Sequence, residues 1–329
     1  MKTELKKDLS YNKTLLILSA LCILSGILSV ALGELAVPFV AGFCAAIFVF
    51  ESGRKRVYSF VVPVALIFVG AIGLIFIGST FLLWGILCIL AAFIIYYAYT
   101  RSKSKFDFSL ILTGVTSVFT VLSVLIIGMI CAKSFSLEAS IAFYGDLYDA
   151  LRDEAAKAIV DFYSELYKDT SAAITLTEAG EIIDSALGAV IAVIAVVSFI
   201  LCGLCFKVFT AVISKCADNK EELSDWRFEP PSFYGHFYYI LIFAYFFAAY
   251  SEGIISTVIV NLYIIFMWMF AYVGYNVVLE KFAGRKRPIT VFIVITLAIL
   301  LLSSFVLQIL AILGAVYVTR QNVQTPKNP

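Results

Sequence analysis

Charge is scarce in this chain. Only 14% of its 329 residues are Asp, Glu, Lys or Arg, and 62% are hydrophobic, whereas a water-soluble domain carries about 25% charged residues. So little polar surface cannot cover a globule of this length, so lipid must face much of it. Histidine is reduced to His236, and one imidazole with scattered cysteines offers no zinc-ligand spacing. A proton-driven carrier would place a carboxylate or His relay deep in the bilayer. Here Glu34, Glu51, Asp107, Glu252 and Glu280 all fall at the ends of apolar runs. His-Glu-x-x-His, Gly-x-Ser-x-Gly and phosphate-binding glycine loops are also missing. No catalytic residue, metal or cofactor is therefore assigned, and the chain is read as non-enzymatic. A net charge of +1 gives no reason to invoke nucleic acid. The seven cysteines are odd in number and scattered, which is not a disulfide framework. Cys202-Gly-Leu-Cys205 has redox-motif spacing but lies inside an apolar run, where Cys acts as a small packing residue.

Long apolar runs fill the space left by charge. A helix needs about 20 apolar residues to span a bilayer, and runs at 14–33, 35–50, 58–78, 80–99, 108–131, 185–209, 237–252, 254–279 and 289–318 meet or approach this. The fold class expected is all-α: a polytopic transmembrane helix bundle of about eight or nine spans, with an amphipathic extracytoplasmic helix. The first run is near the full span length, longer than the roughly 7–15 residues of a signal-peptide core, and is read as an uncleaved span. Three parts follow: an N-terminal membrane bundle over 1–132, an acidic extracytoplasmic segment over 133–184, and a C-terminal membrane bundle over 185–329.

Basic clusters orient the bundle. Arg54-Lys55-Arg56, Arg101-Ser-Lys103-Ser-Lys105 and Arg285-Lys286-Arg287 occupy every second gap, counting from a lysine-rich N-terminus. Lys and Arg flanking a span are retained in the cytoplasm. The N-terminus is thus placed inside and the acidic 133–184 segment outside. Within that segment Ile141, Tyr144, Tyr148, Leu151, Ala155, Ile159, Phe162 and Leu166 recur at steps of three or four. That spacing is one apolar stripe on a helix, and it is expected to pack on the protein's own outer loops. Thr175-Leu-Thr-Glu178 has capping-box spacing, and the helix it starts is expected to continue to about Ser214.

The deepest polar residues are uncharged. Gln308 and Asn261 can either bind a ligand or join helices by hydrogen bonds worth about 0.6–2 kcal/mol. With Glu252 and Glu34, which could line an outer cavity, they form the candidate ligand set. Ser25, Ser29 and Gly33 recur every four residues in the first span, and small residues at that spacing let a partner helix approach closely. They are the candidate docking face. The runs at 237–252 and 254–279 are rich in aromatics, including Tyr238, Tyr245, Tyr263, Phe266 and Phe270. Such rings can wall a pocket or fill a helix interface.

Three short stretches resemble the YybS-like family of uncharacterised bacterial membrane proteins. They are Leu35-Ala-Val37-Pro38-Phe39 with Glu51-Ser-Gly53-Arg54, Trp226-Arg227-Phe228-Glu229-Pro230, and Leu313-Gly314 followed by Arg320. That family is in turn distantly similar to the substrate-binding S components of energy-coupling-factor vitamin transporters. The resemblance implies a multi-pass protein of the bacterial cytoplasmic membrane that binds a small nutrient, with ATPase and coupling subunits as partners beside the lipid bilayer. The other reading of the residues is a scaffold or accessory protein of envelope assembly, using the outer helix as its docking surface.

Overall fold

The computed structural model describes residues 2–32, 36–52, 80–101, 104–166, 174–216, 228–248, 251, 253–283, 297 and 305–320. Every element among the described residues is a helix: α1 (Lys2–Leu32), α2 (Val37–Ser52), α3 (Thr80–Thr100), α4 (Lys105–Cys131), α5 (Leu137–Leu166), α6 (Leu176–Gly188), α7 (Val190–Cys216), α8 (Ser232–Ala248), α9 (Ile254–Ala283) and α10 (Phe305–Arg320). Continuous apolar sequence explains this choice, because in lipid a helix satisfies its own backbone polar groups.

Three described helices are long and apolar enough to cross a membrane: Lys105–Cys131, Val190–Ser214 and Ile254–Lys281. Five shorter apolar helices accompany them: Lys13–Leu28, Val37–Phe50, Trp84–Thr100, Ser232–Ala248 and Phe305–Arg320. The span expected at 58–78 lies outside the described residues, and the one at 289–318 is described only in part. Large apolar side chains on the candidate spans are openly exposed, among them Leu16, Ile111, Val118, Ile191 and Phe243. A hydrocarbon surface of this kind fits a lipid environment.

The chain forms two compact units, each drawing on both halves of the sequence: 1–119 with 197–230, and 120–196 with 231–329. In the first unit α1, α2, α3 and parts of α4 and α7 enclose one core of Leu15, Leu18, Val40, Ile47, Ile95, Leu112, Phe206, Phe209 and Ile213. Small residues let the helices close on it. Gly42 of α2 sits where an added methyl group would run into Val208 and the backbone of Phe209 on α7. In the second unit α9 and α10 cross at Gly274 and Gly314, where a Cβ on either glycine would strike the other helix's backbone. Gly314 belongs to one of the stretches on which the family resemblance rests.

The expected capping box forms. The Thr175 hydroxyl accepts from the Glu178 N–H at 3.2 Å, and the Glu178 carboxylate accepts from the Thr175 N–H at 2.8 Å. The expected unbroken helix from there to about Ser214 does not. The chain leaves helical geometry at Ala189, whose N–H turns back to the Ala186 carbonyl at 3.1 Å. The Asn261 side chain, 69 residues from Ala192 in sequence, bridges this break.

Candidate functional site

Polar groups in the second unit gather at two places. One is Asn261, on α9 and only 7% exposed. Its Oδ1 accepts from the Ala192 N–H at 2.9 Å, and its Nδ2 donates to the Gly188 and Thr257 carbonyls, each at 2.8 Å. The side chain thus bridges the α6–α7 break, taking up one backbone group on each side of Ala189. Its amide has two donors and one oxygen, and each of these groups is engaged by backbone.

The other joins α8, α9 and α10. Tyr238 and Tyr245 stand seven residues apart on α8, two helical turns, and so share a face. Between them they receive Tyr263 of α9. The Tyr238 and Tyr263 rings lie parallel, 6.2 Å apart and 8° from coplanar, and Tyr245 stacks on Tyr263 at 4.2 Å. Tyr238 and the Gln308 side chain of α10 both approach the Tyr263 hydroxyl. Tyr238 and Tyr263 are buried, while Gln308 is exposed. The aromatic wall continues through Phe270, 5.1 Å from Tyr238, and Phe266, 5.2 Å from Phe237. Stacked rings supply apolar area with fixed orientation, and the exposed Gln308 beside them carries a donor and an acceptor.

Of the sequence-derived candidates, Gln308 therefore joins the aromatic cluster and Asn261 is held by backbone at a separate point. Glu34 and Glu252 lie outside the described residues. On α1, Ser25 is buried and its hydroxyl donates to the Leu21 carbonyl at 2.7 Å. The Ser29 side chain and Gly33 are outside the described set. His236 bonds the Ser232 carbonyl of its own helix at 3.0 Å. Among the described residues no three His, Cys, Asp or Glu side chains converge as a metal site.

Outside the apolar spans, α5 carries a second set of polar groups that the sequence did not single out. Arg152 donates through Nε and Nη2 to the two Asp184 carboxylate oxygens of α6, at 2.9 and 2.8 Å, and the Tyr148 hydroxyl donates to the same carboxylate. Gly180 lies under the guanidinium, where a Cβ would collide with Arg152 Nη2. Nearer its start, α5 is fixed to α4. The Ser140 hydroxyl donates to the Leu125 carbonyl at 2.9 Å and Tyr144 to the Val124 carbonyl at 2.8 Å, over the gap left by Gly128. The packed face of α5 thus runs through Ser140, Tyr144, Tyr148, Arg152 and Ala156. It coincides with the expected apolar stripe only at the two tyrosines. Ile141, Leu151 and Phe162 of that stripe stand 58%, 55% and 60% exposed. Arg152 and Asp184 are 32 residues apart in sequence, and opposite charges at that distance carry no local signal.

The clamp has a pH signature. The Arg152 guanidinium, and after it the Tyr148 hydroxyl, hold the Asp184 carboxyl down at about 2. Arg152 is raised in turn by the same carboxylate. A carboxyl whose folded value lies below its unfolded one stabilises the fold above the ordinary carboxylate range, and that contribution is lost as pH falls through the folded value. Corrected amide-exchange protection of α5 around Tyr148–Ala156 is therefore expected to stay level from neutral pH to about 5 and to fall between about pH 4 and 2. Asp184→Asn should lose that protection already at neutral pH and show no acid transition. An unchanged acid transition in this variant would assign it to another group.

No protein-family model, curated protein or solved structure matches this chain.

Proposed function

We propose that this chain is a multi-pass protein of the bacterial cytoplasmic membrane, with about eight or nine spans and its N-terminus inside. It acts as a non-enzymatic component that binds a small molecule for transport. One observation carries the reading: the Tyr238–Tyr245–Tyr263 stack with the exposed Gln308 beside it, on apolar helices. Aromatic walls with a few fixed polar groups are the ordinary make-up of ligand sites. The resemblance to the YybS-like family, and through it to S components, supplies the transport setting and the ATPase and coupling subunits as partners.

The test is purification of the tagged protein from its own membranes in mild detergent, followed by mass spectrometry of co-eluting proteins and small molecules. A retained ligand or bound ATPase subunits are expected, with ligand retention falling about tenfold in Gln308→Ala, as for loss of one charge-free hydrogen bond and its packing. A protein that elutes alone and empty across several detergents removes the reading.

A second reading is favoured by a different observation. The exposed Leu137, Ile141, Leu151 and Phe162 leave α5 with apolar groups that no described residue covers, beside the exposed acids Asp149 and Asp153. A scaffold or accessory protein of envelope assembly would use that face. Deletion of 139–168 would then abolish partner binding and leave insertion intact, whereas ligand retention without this segment supports the first reading.

A further inference from the structure

Two thiols meet inside the first unit. Cys22 lies on α1 and Cys44 on α2, and their sulfur atoms are 3.4 Å apart. Both are sealed from solvent, at 0% and 1% exposure, within the core that also holds Leu18, Ala41, Ala45 and Cys88. A disulfide needs about 2.05 Å between sulfurs. The pair is therefore about 1.4 Å from bonding distance, and the sulfurs already touch with no atom between them.

Nothing in the aromatic cluster or the α5–α6 clamp uses these two thiols. We infer that Cys22 and Cys44 form an oxidisable dithiol, which a lipid-soluble two-electron acceptor of the quinone class converts to a disulfide tying α1 to α2. Both S–H bonds break and one S–S bond forms. The two electrons and two protons pass to the quinone, which leaves as the hydroquinone. The product is uncharged. That suits an apolar core, where two free thiolates would bury net negative charge at a large desolvation cost. Burial shuts the acceptor out of the closed core, so the rate is set by local openings of α1 from α2 that admit it. A closed bond spans a separation of 22 residues and removes any sliding of α1 along α2.

The experiment uses the full chain in its native membranes and tetramethyl-1,4-benzoquinone, whose fully substituted ring disfavours capture of thiols by addition. After treatment the protein is denatured, free thiols are blocked with a maleimide, and linked peptides are quantified by mass spectrometry. The expected product is a peptide pair joined through Cys22 and Cys44, at least about tenfold above every other cysteine pair and removed by dithiothreitol. It should vanish in Cys22→Ser and in Cys44→Ser and persist in Cys88→Ala. Exposed Cys131 reports that blocking went to completion. Full maleimide labelling of Cys22 and Cys44 in quinone-treated membranes overturns the inference, as does a linked pair in which Cys88 replaces either residue.

Discussion

Replacing Gly274 with alanine is expected to force α9 and α10 apart. At this crossing the two backbones touch. A Cβ on Gly274 would enter the space of the Leu310 carbonyl oxygen and the Gly314 N–H, and a Cβ on Gly314 would meet the Phe270 carbonyl. A flexible side chain could turn away from such a collision, but a helical carbonyl cannot without losing its own hydrogen bond. Overpacking in a filled interior costs about 1–3 kcal/mol, and a backbone contact belongs at the upper end of that range. The cost should appear as a lowered thermal-aggregation midpoint of the detergent-solubilised protein and faster amide exchange in α10. Gly314→Ala should behave alike. The double variant should lose much less than the sum of the two, because one separation of the helices relieves both clashes. Gly203 and Gly114 provide the control, since nothing lies where their Cβ would go. Alanine there should stabilise by about 0.5–1 kcal/mol through helix propensity alone. Equal destabilisation at all four positions would mean that a general intolerance of added side chains, not this crossing, sets the result.

Asn261 carries the second large effect, and its variants separate hydrogen bonding from size. Asn261→Ala leaves the Ala192 N–H and the Gly188 carbonyl at the helix break without their partner in an apolar interior. A buried polar group left unsatisfied costs about 1–3 kcal/mol. Asn261→Asp should be worse although it is nearly isosteric. One carboxylate oxygen can still accept from Ala192, but the other would face the Gly188 and Thr257 carbonyls where the amide now donates at 2.8 Å. Repulsion between three acceptors replaces two hydrogen bonds. Exchange protection at Ala192 and the thermal midpoint of each variant should fall in the order Asn, Ala, Asp. Equal behaviour of the Ala and Asp variants would detach Asn261 from the break and return it to the list of ligand contacts.

Asn261 also marks where reading the sequence stops. Its type and depth identify it as either a helix-joining group or a ligand contact, and nothing local distinguishes the two. The partners that occupy its amide lie on the far side of a connection 69 residues long. Those same partners flank the break in the helix expected to run unbroken from Thr175 to Ser214. The capping box at Thr175 was legible because both of its members lie within one turn, and their hydrogen bonds need no third element. The stripe on α5 shows an intermediate case. Its 3.6-residue period did give a helix, but which face would pack was decided by Gly128, Gly180 and Asp184, none of them on α5.

The sequence by itself determined that this chain is helical and apolar enough for lipid, because composition and the length of an apolar run act residue by residue and need no partner. It also placed Gln308 and the tyrosines in apolar runs. Only the tertiary structure decided that Tyr238, Tyr245, Tyr263 and Gln308 meet, that Cys22 faces Cys44, and that Arg152 grips Asp184. Each of those contacts depends on which helix lies beside which, and in an apolar environment that choice rests on close packing at small residues and on scarce polar pairs, not on hydrophobicity that all the helices share.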